Sequence, residues 1–469
     1  MKPIPHQADT RGRELPGPQG WPVIGTVIPF LTRDLLRPFA RLIAQYGPLF
    51  QVRLPFGHRL VMIAHPVAAE HVLRSHRDNY VKGSVYDGAR LLLGQGLVTS
   101  EGDLWQRQRR LANPAFRPAK LERYLEVISD SAKGLADEWQ SRGELRSLDL
   151  HADMTRLTLA IVGRTLFGLD LSKQSSAAGD AFSEALAAIS RRGPSTLQLP
   201  LWIPTRANIR FRRLLRKLDG MVYEIIGRFR AGEAENSDQT LLGAYLDSRD
   251  DETGQGMSDR QLRDEVLTLY LAGHETTSSL LSWTLYMLAR RPDVATRVAA
   301  EIDTMPTDHV PSLEQLRSLQ YTSQVISETL RLYPPVWTIA RNSLQEDKIM
   351  GYRIPAKAIV MIAPYFIQRQ PSFWPDPSRF DPDRFAPATA DTRNDFAYLP
   401  FSLGPRMCIG MQFALYETRL VLSILLQRFE VHAEGPEIGC QAVGTLRPDA
   451  PIVVSLRLRQ RGSKHQIRA

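Results

Sequence analysis

Phe401-Ser-Leu-Gly-Pro-Arg-Met-Cys-Ile-Gly410 runs without a break into a segment where Phe413, Leu415, Leu420, Leu422, Ile424 and Leu425 recur at helical spacing. Cys408 therefore falls at or just before a helix N-terminus, between Arg406 and Gly410. A thiol there meets unpaired backbone N–H groups and the positive end of a helix dipole, which favour the thiolate. A thiolate can serve as the axial ligand of haem iron and push electron density toward bound oxygen. Gly404 and Gly410 would let backbone approach a flat ring, with Phe401 beside the sulfur. A lone Cys-x-Gly fits an inert, buried cysteine in a turn at least as well. The full spacing Phe-x-x-Gly-x-Arg-x-Cys-x-Gly is far more specific.

The chain around this loop has 469 residues, 43% of them apolar and 23% charged, an ordinary balance for a globular protein with a large core. Its two cysteines, Cys408 and Cys440, are no disulfide framework and fit a reducing compartment, so a cytoplasmic location is expected. The net charge of +9 is scattered, apart from residues 210–217 and 457–468. With no nucleic-acid motif present, that charge suits an acidic redox partner, or is merely a solvated basic surface. Residues 1–30 read as a Pro-rich N-terminal segment, in which neither a signal peptide nor an anchor is expected. Its longest apolar piece, 21–31, is broken by Pro22, Gly25 and Pro29, short of the ~20 residues a membrane span needs. Residues 197–204, apolar and containing Trp202, suit a substrate lid, peripheral membrane contact or a cover for the core.

Helices are expected over 35–46, 66–75, 120–141, 148–167, 177–191, 210–230 and 239–247, and paired strands over 50–54 and 60–64. Residues 80–99 read as an irregular, Gly- and Leu-rich loop that could cover a pocket. A long helix opens at Ser258, with Gln261 in capping position, and stops before Pro292. It is apolar on nearly all sides, hence buried. Ala272-Gly-His-Glu-Thr-Thr277 interrupts it, and an acid and hydroxyls there are costly without a purpose. Local unwinding, an oxygen groove lined by Ala272 and Gly273, and proton transfer by Glu275 and Thr276 would supply one. Back-bonding of hydroxyls to the preceding turn is the plainer alternative for Thr277 to Ser279. Trp105 and Arg109 share a helix face and suit a carboxylate. Glu328 and Arg331 stand at i, i+3 on a helix over 320–332, and Arg384 follows later in the chain.

In order along the chain, Trp105/Arg109, Ala272 to Thr277, Glu328/Arg331, Asp383 to Phe385 and Phe401 to Gly410 together resemble the cytochrome P-450 family, soluble bacterial type. The resemblance covers essentially the whole chain. It implies one mainly α domain with small β-sheets (α+β), a triangular prism spanning 1–469 with no fused reductase. Haem b (iron protoporphyrin IX) would lie buried between the long central helix and the cysteine loop. It further implies Cys408 as iron ligand, Arg406, Arg109, Trp105 and Arg341 as propionate partners, and a structural network of Glu328, Arg331 and Arg384. Glu275 and Thr276 would be the oxygen-activating acid–alcohol pair. Leu267, Tyr270, Leu271, Val336, Trp337, Ile339 and Val443 would line an apolar pocket for a terpenoid, fatty acid, steroid or polyketide. The implied activity is monooxygenation by a monomer, with electrons from a separate ferredoxin or flavodoxin and its NAD(P)H reductase. A peroxide-driven enzyme, or a non-redox isomerase or dehydratase, fits the acid–alcohol pair less well. A helical haem- or lipid-binding protein without turnover would consume no NADPH. Ser402 and Gln368 depart from the family's usual glycine and histidine, and Pro405 stiffens the cysteine loop.

Overall fold

The computed structural model describes residues 12–20, 26, 34–143, 145–169, 184, 185, 188, 200–234, 240–247, 249, 254, 256–390 and 394–459. Helix Asp259–Arg290 is its axis, capped where Ser258 accepts the Gln261 N–H. Every residue from Thr277 to Leu288 is buried. Helix Leu150–Leu166 lies against it and helix Arg206–Arg230 crosses it nearer its start. Helix Met411–Arg428 packs on Pro118–Ser141, with Phe413 edge-on to Tyr124 at 5.8 Å. These helices other than Arg206–Arg230, together with Gln320–Leu332, enclose the largest apolar cluster among the described residues, which includes Trp139, Leu281, Trp283 and Leu420.

The sheets are small. One has five strands, ordered Leu49–Arg53, Arg59–Ile63, Ile359–Ile362, Ile339–Ser343 and Tyr80–Val81. Its only parallel pair joins Val61 to Val360 in register. Leu145–Asp149, Val453–Leu458 and Phe429–His432 form a second sheet. Two hairpins, Asp347–Ile349 with Tyr352–Ile354 and Cys440–Val443 with Thr445–Pro448, complete the set.

Three expectations change. Residues 80–99 are not irregular: Tyr80–Val81 adds to the sheet edge and Asp87–Leu93 is a helix. Arg90 stitches the segment by donating to the carbonyls of Lys82 (2.6 Å) and Thr99 (3.2 Å). The helix expected from 148 starts at Leu150, because Leu148 pairs with Val454 across a strand ladder that periodicity cannot see. The helix expected over 66–75 is α only to Glu70 and passes into a π turn, His71–Ser75. Most of the helix expected over 177–191, residues 197–199, and all of residues 1–30 except 12–20 and 26 lie outside the described residues. No described helix is long and apolar enough to cross a membrane.

Candidate functional site

Cys408 stands three residues ahead of helix Met411–Arg428, after the turn Gly404–Arg406, and its N–H donates to Phe401 O at 3.0 Å. Phe401 is half-buried against the main core. Gly404 has φ 72, and a Cβ there would sit 2.3 Å from Leu73 O. The glycine is therefore required by the approach of the His71–Ser75 turn. Gly410 is under no such demand: an added Cβ would meet only Phe116, at 3.8 Å. The expected depression of the Cys408 thiol is not found. Burial pushes it up, against the opposing pull of the Gly410 N–H and the Arg109 charge. Yet the residue also counts as exposed. The thiol is thus surrounded by protein while part of the residue stays accessible, and a cation beside the sulfur is what would ionise it.

The central helix also has an accessible stretch. Ala272 is exposed and Thr276 half-buried, within a helix whose flanking residues 264–270 and 277–288 are buried. The two lie about 40° apart around the axis and form one face. Leu267 and Tyr270, 0% and 1% exposed, point away into an apolar cluster with Val222 and Ile226, which corrects their assignment to the pocket. Leu271 is half-buried. The helix is continuous, so the expected unwinding is absent. Thr276 Oγ1 donates to Ala272 O at 2.8 Å, the back-bond that hydroxyls make in helices. Gly273 belongs to packing rather than to an oxygen groove, since a Cβ there would stand 2.9 Å from Val162 Cγ2 on the neighbouring helix. Glu275 Oε1 accepts from Thr445 Oγ1 (2.7 Å) and pairs with Arg447. That partnership is invisible in the helix's own sequence.

Farther up the same helix, Asp264 accepts the Gln95 N–H (2.8 Å) and Glu265 the Leu97 N–H (3.2 Å), which ties residues 94–100 to the axis. Glu265 is 0% exposed, and burial raises its carboxyl to about 8.

Positive charge gathers next to the cysteine loop. Arg406 lies over the Trp105 ring at 3.8 Å, pairs with Glu101 at 2.5 Å and donates to Ser100 O at 3.0 Å. Burial lowers its guanidinium to about 10. Arg341, 5% exposed, donates to Ala340 O at 2.7 Å and adds its charge to the same site. Lys82, 7% exposed, donates to Val98 O, and burial followed by Arg406 and Arg341 pulls it well below the ordinary lysine range. Within this set Glu101 balances one of three cations, which leaves the other two for an anionic ligand. The two propionates of haem fit that deficit. Arg109 donates to Met407 O at 3.0 Å and so braces the cysteine loop, separately from Trp105. Lys82 carries no motif that would have singled it out.

Glu328 and Arg331 are 0% exposed and paired at 2.6 Å, with Arg384 3.4 Å from the same carboxylate. Gln368 donates to Leu330 O and Arg331 O (both 3.0 Å) and accepts the Leu399 N–H (2.8 Å). An amide thus fills the usual histidine position with every polar atom engaged. Along the extended segment after Pro335, Val336 is 42% exposed, whereas Trp337 (4%) and Ile339 (7%) face the opposite way, into the core. Val336 remains available to a pocket; Trp337 and Ile339 do not. Val443 ends its strand, and its side chain lies outside the described residues.

Comparison with known proteins agrees with this architecture. The family model for Cytochrome P450 matches residues 15–454. Cyclooctat-9-en-7-ol 5-monooxygenase of Streptomyces melanosporofaciens is 33% identical over 418 residues, 88% of each chain. Pentalenene oxygenase of Streptomyces avermitilis is 32% identical over 447 residues, 95% of this chain and 97% of its own. The crystal structure of the cytochrome P450DA heme domain superposes with a TM-score of 0.85 at 28% identity, covering 96% of this chain and 99% of that one. With the cysteine loop, the open helix face and the cationic cluster in place, the chain belongs to the cytochrome P450 family and is a haem-b-dependent monooxygenase.

Proposed function

We propose that this protein inserts one atom of dioxygen into a C–H or C=C bond of a terpenoid, using electrons from a separate ferredoxin or flavodoxin and its NAD(P)H reductase. The reading rests on an accessible Cys408 just ahead of a helix, on accessible Ala272 and half-buried Thr276 in an otherwise buried helix, and on the cluster of Lys82, Arg341 and Arg406. Haem, when bound, supplies the binding and reductive activation of dioxygen. Cys408 would ligate its iron, and the cations would take its propionates. Trp105 shields Arg406 from water, and Arg109 steadies the loop through Met407 O.

Thr276 can turn its hydroxyl away from Ala272 O and present a proton on that accessible face. Glu275, ion-paired with Arg447 and accepting from Thr445, can resupply that proton only after leaving both and taking one up from water, so Arg447 sets the readiness of the acid. Substrate would rest on Val336 and Leu271, both apolar and both accessible. The terpenoid class draws support from the substrates named in the two bacterial relatives. Two free cysteines and a basic surface fit a cytoplasmic monomer served by acidic redox proteins.

The test is the carbon monoxide spectrum of the reduced protein, followed by spin-state titration with cyclic terpenes, fatty acids, steroids and macrolactones. A thiolate-type band and a shift with terpenes alone support the reading. A histidine-type band overturns Cys408 as ligand, and a shift confined to another class overturns the substrate.

A further inference from the structure

We propose that His71, His76 and Asp347 form a binding site for a divalent cation of the zinc class, separate from the haem site. The local backbone makes it possible. Residues five apart on an α-helix point about 140° away from each other and cannot share a ligand. After Glu70, however, the chain enters the π turn His71–Ser75, in which the His76 N–H donates to His71 O at 2.8 Å. The wider turn lays the two imidazoles face to face, centroids 3.7 Å apart and 8° from parallel. Such turns cluster at functional sites.

The third group arrives from a distant part of the chain. Asp347 begins the hairpin strand Asp347–Ile349, and its Oδ2 lies 2.8 Å from His71 Nε2. One ligand atom from each of the three residues lies within 4.8 Å of the others, and among the described residues no other three His, Cys, Asp or Glu side chains converge in this way.

Outer contacts hold Asp347 and meet the His76 ring. Tyr80 Oη donates to Asp347 Oδ2 (2.7 Å), and the Lys348 N–H donates to Oδ1 (2.7 Å). Ser75 Oγ lies 3.2 Å from His76 Nδ1 and 3.2 Å from Glu70 Oε2. A carboxylate–hydroxyl–imidazole relay of this kind fixes the tautomer that leaves Nε2 for a metal.

Two imidazoles and one carboxylate suit Zn²⁺, and also Co²⁺ or Ni²⁺, rather than Ca²⁺ or Mg²⁺, which prefer oxygen throughout. The cation would replace the proton between His71 Nε2 and Asp347 Oδ2. His76, exposed at the end of the turn, would rotate out of the stack to complete three ligands, and water would fill the fourth position. The consequence reaches the haem loop from outside. The same turn carries Leu73, whose carbonyl oxygen lies 2.3 Å from where a Cβ on Gly404 would be, so a metal that stiffens the turn braces the loop holding Cys408.

The test uses the tag-free holoenzyme dialysed against zinc chloride at neutral pH, with metal analysis and thermal unfolding. We expect one zinc per chain and a higher Tm with zinc. His76→Ala and Asp347→Asn should each weaken binding at least ~10-fold and abolish the Tm rise. His309→Ala, at an exposed His–Asp contact elsewhere, should change neither. A normal carbon monoxide spectrum in the variants shows that the fold and haem site are intact, so the result stands apart from the substrate assignment. Zinc retained equally by His76→Ala, or not retained by the wild type, overturns the site.

Discussion

Arg331 and Lys82 are both buried cations, and their surroundings are opposite in kind. Arg331 holds Glu328 through two nitrogens (2.6 and 2.8 Å) and donates to the carbonyls of Gln368, Pro377 and Arg379 at 2.8 to 3.1 Å. Lys82 is surrounded by Arg406, Arg341 and Arg90, against the single acid Glu101. A buried charge whose partners are all protein is scaffold. A buried cluster with an excess of one sign is costly until a ligand brings the missing charge. The contrast separates what holds this molecule together from what it is built to hold.

The comparison can be broken from either side. The largest effect is expected at the scaffold: Glu328→Gln leaves Arg331 without its counter-charge and should cost about 3–5 kcal/mol in denaturant unfolding. A loss under ~1 kcal/mol would remove the distinction. Glu265 sharpens it with the opposite sign of charge. Its carboxyl is raised to about 8, so the folded state keeps a proton that the unfolded chain releases above its ordinary carboxylate range. Stability should therefore fall as pH rises toward 8, by about 2–3 kcal/mol between pH 6 and 9. Glu265→Gln should flatten that slope, measured by urea midpoints across pH.

At the cationic cluster the sign should depend on haem. Lys82→Met should speed haem transfer to apomyoglobin about tenfold, near 1.4 kcal/mol, while leaving the apoprotein as stable as wild type or more so. A destabilised apoprotein would make Lys82 scaffold after all. The smallest effect concerns Ser402, whose φ of 66 is a glycine conformation and whose hydroxyl is buried without a hydrogen-bond partner. Ser402→Gly should add roughly 1 kcal/mol to stability, read as a rise in Tm.

Most of the architecture was legible because it is local. The 3.6-residue period and the Ser258 cap announce the central helix, and the spacing around Cys408 marks a loop before a helix. The failures share a different cause. Leu148 pairs with Val454 and Gly273 answers to Val162, contacts that no window of sequence contains, while Arg90 reaches carbonyls eight and nine positions away that hydrophobic periodicity does not register. Tyr270 and Trp337 were misassigned because nearness along the chain to a motif says nothing of which way a side chain points.

By itself, then, the sequence determined the helical class, the cysteine loop, the Glu328–Arg331 pair and the residue types for haem chemistry, since each depends on neighbours within a few positions. Tertiary structure alone decided that Lys82 joins Arg341 and Arg406, that Glu275 is held by Arg447, and that Asp347 meets His71 across 276 positions. Electrostatic energy depends on distance through space, and that distance exists only once the chain has folded.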